Sequence, residues 1–116
     1  MAIETTNYNG APLVGGKVVT TNVDVPAGTY YAGQALGMTT TTNVYDDLDT
    51  GNALGLEDFR AVSVATVTFT GAGRLQVYTA TSELMKRGIV DGSGDQLTIT
   101  QALIENARSN SIILKN

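Results

Sequence analysis

The chain of 116 residues has no cysteine, no histidine and no tryptophan, and only two prolines. Without thiol or imidazole it offers no thiolate nucleophile, no His-dependent triad and no zinc site of the usual kind. Charge is scarce too, at 16% of residues against a usual share of about 25%. Seven Lys and Arg face eleven Asp and Glu for a net charge of −4, and Lys86-Arg87 is the one basic pair, a balance that argues against nucleic-acid binding. No apolar run approaches the roughly 18 residues of a membrane span. Residues Met1 to Thr6 carry neither the basic nor the apolar region of a leader, so the expectation is a soluble protein made in the cytoplasm, with no membrane partner.

Catalytic signatures are equally thin. Gly15-Gly16-Lys17 lacks the spacer and the Ser or Thr of a P-loop, and Gly71-x-Gly73 reaches Gln76 where a dinucleotide fingerprint needs Gly. No serine lies in a Gly-x-Ser-x-Gly context. Asp47-x-Asp49-x-Gly51 and Asp91-Gly92-Ser93-Gly94-Asp95 both miss the calcium-loop spacing, with glycine and the closing glutamate out of place. Asp46, Asp47, Asp49, Glu57 and Asp58 are acidic, but no spacing selects an acid–base pair from them. The expectation is a non-enzyme without cofactor or metal.

What is abundant is threonine, 17 residues, and glycine, 13, a balance of strand formers and turn formers. The pattern predicts one mainly β domain with a small α part over residues 17–116, a compact barrel-like body with one C-terminal helix, preceded by a flexible arm over 1–16. The arm, MAIETTNYNGAPLVGG, has no sustained period and cannot bury its own apolar groups, so it suits ordering on a partner; a frayed terminus is the plainer alternative. Lys17 to Val25 reads as the first strand of the body, closed by the turn Pro26-Ala27-Gly28. Thr29 to Ala32 and Gln34 to Met38 follow as strands around Gly33, the second continuing into the tract Thr39 to Thr42.

The organising stretch is Ala61 to Val90. Val62 and Val64 alternate in one phase and Ala65, Val67 and Phe69 in the other, which predicts a bulge near Val64. Gly71-Ala72-Gly73 then turns a hairpin into a return strand over Arg74 to Tyr78, with glycine tolerating positive φ. Ser82 or Thr81 caps a helical turn over Ser82 to Arg87, which Gly88 ends in the left-handed conformation. Leu97 to Arg108 reads as the one substantial helix, with Thr98 and Gln101 spaced as a capping box and Asn110 terminating it. Ile112-Ile113-Leu114 is a short apolar strand that has to be buried in the sheet or at an interface. Phe59 reads as core, and Tyr8, Tyr30, Tyr31, Tyr45 and Tyr78 as core or interface rather than as a sugar-stacking surface.

Four features together resemble the head decoration proteins of tailed bacteriophages, the family of the phage lambda capsid-stabilising protein. Pro26-Ala27-Gly28-Thr29 enters a strand with Gly33 soon after; an acidic turn carries Gly51; Val77 leads through Glu83 to Leu84; and a loop, the helix Gln101 to Arg108 and the strand Ile112-Ile113-Leu114-Lys115 close the chain. The resemblance implies a homotrimer on the outer capsid surface of the virion, bridging major capsid protein subunits at three-fold and quasi-three-fold positions. It further implies an N-terminal arm that adds a strand to a capsid sheet, and here Leu13, Val14, Lys17, Val18 and Val19 are the extended-prone residues for that role. Two rival classes remain open on the residues alone: another phage structural subunit such as a tail tube or head-to-tail connector, and a small carbohydrate-binding or adhesin module using Tyr30, Tyr31 or Tyr45.

Overall fold

A computed structural model describes residues 4–7, 13–51 and 55–115, with the side chains of 4–7 left aside. Ten strands and one α-helix follow in order: β1 Glu4–Asn7, β2 Thr20–Val25, β3 Gly28–Tyr30, β4 Ala35–Thr39, β5 Val44–Asp47, β6 Ala61–Ser63, β7 Thr66–Phe69, β8 Gly73–Tyr78, β9 Glu83–Met85, α1 Gln101–Ser109 and β10 Ile113–Lys115. They form a five-stranded antiparallel sheet in the order β2-β8-β6-β4-β5, a three-stranded antiparallel sheet β1-β7-β3, and a parallel pair β10-β9. The fold is mainly β with one C-terminal helix, as the composition predicts, and no closed barrel forms among the described residues.

Alternation along the central strands explains the layering. Leu36, Ala61, Leu75 and Val77 pack with Tyr30, Ala65, Val67 and Phe69 on the side of the three-stranded sheet. Their chain neighbours Ala35, Val62 and Tyr78 face the other way, toward Phe59, Leu84, Ile89, Leu103, Ala107 and Ile112. The centre of the five-stranded sheet is therefore covered on both faces, and all three residues of β6 are fully buried, while Asn22 and Asp24 of β2 and Arg74 and Gln76 of β8 face solvent. Ser63 keeps its hydroxyl satisfied there by donating to the Ala65 carbonyl at 2.7 Å. Each large aliphatic or aromatic group taken wholly from water stabilises the fold by about 1.5–3 kcal/mol.

The Ala61–Tyr78 stretch is not one hairpin. The return strand β8 pairs with β6 through Val62↔Tyr78 and Ser63↔Val77, whereas β7 lies between β1 and β3 in the other sheet. The phase change at Val64-Ala65 is thus the step of the chain from one sheet to the next rather than a bulge within a strand. Neither Gly71 nor Gly73 takes positive φ. Gly73 serves a different need, since a Cβ there would stand 2.3 Å from the Phe69 ring.

Three further expectations shift. The Thr tract enters β4 only as far as Thr39 and then turns, with Asn43 at φ 57 donating its N–H to the Thr39 carbonyl at 2.8 Å. Residues 83–85 are a strand, because β10 bonds them on one side and residues 13–17 on the other; only Lys86–Gly88 makes a 3-10 turn, and Gly88 is not left-handed. The helix begins four residues later than the spacing suggests. Leu97 and Ile99 pack on the core from an extended segment whose Leu97 N–H bonds Ile89, and Thr100 rather than Thr98 caps the helix by accepting from Leu103 N–H at 3.2 Å. Asn110 ends it, as expected, and reaches across to the Phe59 carbonyl at 3.0 Å.

Gly73→Ala is expected to destabilise the protein by roughly 1–3 kcal/mol through overpacking against Phe69. The double variant with Phe69→Leu should lose less than the sum of the two single changes in denaturant unfolding; strict additivity would show that the ring is not what crowds position 73.

Candidate functional site

The residues singled out for partner binding, 13–19, lie along one side of β9. Leu13 accepts from Met85 N–H at 2.6 Å, Gly15 N–H donates to Glu83 at 2.9 Å, and Lys17 accepts from Glu83 N–H at 2.7 Å. With β10 on the far side of β9, this end of the molecule is a small three-strand layer. Its fastening point is Ser82, fully buried. The Ser82 hydroxyl accepts from Val19 N–H at 3.0 Å and donates to the Val19 carbonyl at 3.1 Å, while the Ser82 carbonyl accepts from Ile113 N–H at 2.9 Å.

The five residues divide by exposure. Leu13 and Val18 pack against the core. Val14 and Val19 are 47% and 40% exposed, and Lys17 is also exposed. Ile113, expected to be buried, is 37% exposed, because alternation turns its neighbours Ile112 and Leu114 inward instead. Val14, Val19 and Ile113 are the large apolar side chains exposed among the described residues, and all three sit on segments bonded to residues 82–84. Across this layer Lys115 Nζ lies 3.1 Å from Glu83 Oε1 and 3.2 Å from the Gly15 carbonyl. Its hydrogen bond and charge hold the Glu83 carboxyl below its ordinary range.

No strand among the described residues pairs with the outer edge of this layer. Val14 is the residue opposite Leu84 in an antiparallel bridge whose flanking bonds come from Leu13 and Gly15. In such a pair the central residue turns its own N–H and C=O away from the partner strand, and no described residue bonds those of Val14.

The N-terminal strand is also edge-on. β1 pairs with β7 antiparallel through Glu4↔Phe69, Thr5↔Thr68, Thr6↔Val67 and Asn7↔Thr66. Glu4, Thr5, Thr6 and Asn7 bring no large apolar side chain to the pairing.

A second feature is the acidic cleft of about 470 Å³ lined by Tyr30, Gln34, Asp46, Asp47 and Asp91 among others. Gln34, 2% exposed, accepts from Tyr31 N–H at 2.9 Å and donates to Asp47 Oδ1 at 3.2 Å. Burial raises the Asp47 pKa; the Gln34 bond opposes that, and Asp46, Asp91 and Asp49 add to it. Asp91 is used within its own loop, accepting from Ser93 and Asp95 N–H. No group of three or more potential metal ligands gathers among the described residues. The tyrosines do not form one platform: Tyr30 and Tyr78 are buried, Tyr30 donates to the Pro26 carbonyl at 2.8 Å, and Tyr8 lies outside the described residues.

Sequence reasoning missed Ser82 as a fastener, reading it as a helix cap; nothing in the local pattern signals a bond to Val19, 63 positions away. Compared with known proteins, the chain matches no family model, no curated protein and no solved structure.

Ser82→Ala should cost about 1 kcal/mol by removing the partner of the part-buried Val19 N–H, the Val19 carbonyl keeping the Thr79 N–H at 2.9 Å, readable as a lowered denaturation midpoint. Asp47 binds its proton more tightly folded than unfolded, so ionising it opposes folding and stability falls as pH rises through its raised pKa. Asp47→Asn, which keeps an acceptor for Gln34, should therefore raise Tm at neutral pH, with the gain fading as pH falls below the ordinary aspartate range. A gain independent of pH would refute the assignment.

Proposed function

We propose that the protein is a structural part of a tailed-phage head, a decoration protein that binds the outer surface of the expanded capsid as a homotrimer. Each trimer bridges neighbouring major capsid protein subunits at three-fold and quasi-three-fold positions and stabilises the shell against the pressure of packaged DNA. Binding that is available only on the expanded shell favours that state by linkage. The function is mechanical and calls for no catalytic step, cofactor, nucleic acid or membrane.

The observation that carries this reading is the outer edge at Val14, bonded by no described residue and flanked by exposed apolar side chains, on a segment bridged to β9. Such an edge accepts a strand from another protein, main-chain hydrogen bonds supplying affinity with little demand on side chains. The pattern resemblance to decoration proteins supplies the partner, the major capsid protein. Within the segment, Val14, Lys17 and Val19 touch the partner, and Leu13 and Val18 anchor it to the body.

The expected result is a trimer by light scattering that co-sediments with expanded shells and not with unexpanded ones. A ring or tube in solution would favour a tail or connector subunit; a monomer that ignores both shells would remove the reading. Val14→Asp and Val19→Asp should abolish co-sedimentation with little change in Tm, whereas Leu13→Asp and Val18→Asp should lower Tm by burying an unpaired charge.

A further inference from the structure

We propose that the edge at Gln96, beside Lys86 and Arg87, is a docking site for an extended acidic peptide segment of another protein. The site is distinct from the Val14 edge and independent of the capsid reading. Three observations carry it.

First, a main-chain edge is formed there and left unmet. Val90 and Gln96 face each other in an antiparallel bridge whose flanking bonds run from Asp91 N–H to the Asp95 carbonyl at 2.8 Å and from Leu97 N–H to the Ile89 carbonyl at 3.0 Å. In such a pair both central residues turn their own N–H and C=O away from each other. Those of Val90 are taken by Gly33 and Ala35, which ties the bridge to the start of β4. Those of Gln96 are bonded by no described residue, and the same holds for Thr98 two positions on. The segment is steadied from beneath, since Leu97 and Ile99 pack on the core while Gln96 and Thr98 are exposed.

Second, this edge borders a cleft of about 300 Å³ that Lys86 and Arg87 also line. The ion pairs of the described residues, Arg74 with Asp24 and Lys115 with Glu83, use neither cation. Both sit on the 3-10 turn Lys86–Gly88. Gly88 is buried, with its carbonyl against Gly33 where a Cβ would otherwise stand, so the backbone that carries the two cations is fixed in place.

Third, the combination selects the occupant. Gln96 offers a main-chain donor and a main-chain acceptor together. A small anion uses the cations and the N–H and has little for the carbonyl. An extended peptide meets both main-chain groups, and because its side chains alternate it sets carboxylates toward the cations from every second position. Two cations are too few for a duplex nucleic acid, whose binding grows with the number of phosphates neutralised. At physiological ionic strength charges farther off than about 8 Å are largely screened, so the local pair governs rather than the net charge of the chain.

The test is a titration of the full-length protein, followed by amide NMR, with a short synthetic peptide alternating Glu and Val. Saturable shifts should gather at residues 86–89 and 96–99. Lys86→Gln with Arg87→Gln should weaken binding roughly tenfold or more by removing charge-assisted hydrogen bonds, with Tm nearly unchanged because neither cation is in an ion pair. Copies of the peptide N-methylated at alternate residues keep its charge and lose main-chain donors on one edge or the other; one copy should bind like the parent and the other should not bind. Absence of shifts, equal binding by a peptide alternating Lys and Val, or binding undiminished in the double variant would overturn the proposal. So would equal binding by both methylated copies, which would show that charge alone attracts the peptide. Inorganic phosphate shifting the same amides at the same concentration, or shifts there that grow with protein concentration alone, would also overturn it by making the occupant a small anion or a second copy. No capsid shell enters the experiment, so its result stands whether or not the protein binds shells.

Discussion

The fold depends on covering the centre of the five-stranded sheet, at β6, on both faces. A sheet with one wet face can alternate apolar and polar residues, but β6, with Ala61, Val62 and Ser63 all fully buried, tolerates no polar side chain that lacks a partner. Ser63 meets that constraint through the Ala65 carbonyl. On one face the requirement recruits the β7 layer, with Phe69 seated over Gly73. On the other it recruits α1, β9 and β10, whose Leu84, Ala107 and Ile112 are fully buried. The candidate binding residues lie at the margin of the second cover, beside β9.

The margins are secured in a graded way. The β9 layer is tied by the buried Ser82 hydroxyl and by Leu13 and Val18 packing inward, so residues 13–19 are held firmly while no described residue bonds the outer edge at Val14. β1 pairs with the edge of β7 over four residues.

Much of the architecture was legible because it follows from local chemistry: threonine and valine alternation for the strands, Phe59 as core, Asn110 as the helix stop. The division of strands between sheets was not. Alternation tells which side chains share a face but not which strand lies alongside, so Ala61 to Tyr78 reads as one hairpin although the chain changes sheets at Val64-Ala65. The late start of α1 has a similar origin: Leu97-Thr98-Ile99-Thr100 carries a period of two that the attractive Thr98–Gln101 spacing masked. Ile113 was misjudged by a single position in a three-residue apolar run, where composition cannot say which residue points out. Of the candidate site, Leu13, Val14, Lys17, Val18 and Val19 stand out in sequence only as extended-prone; their seam along β9 and the clasp at Ser82 depend on contacts 63 or more positions away, beyond any local signal.

The central claim is a gradient of stability between the doubly covered centre of the five-stranded sheet and the layer that residues 13–17 form along β9 at its margin, and native-state hydrogen exchange measures it directly. The account predicts that amides of β6 and of the β8 residues paired with it exchange only through global unfolding, and those bonded between residues 13–17 and β9 through smaller openings, with intermediate protection. Equal protection of the two sets would contradict it, showing the β9 layer to be part of the same cooperative body as the sheet.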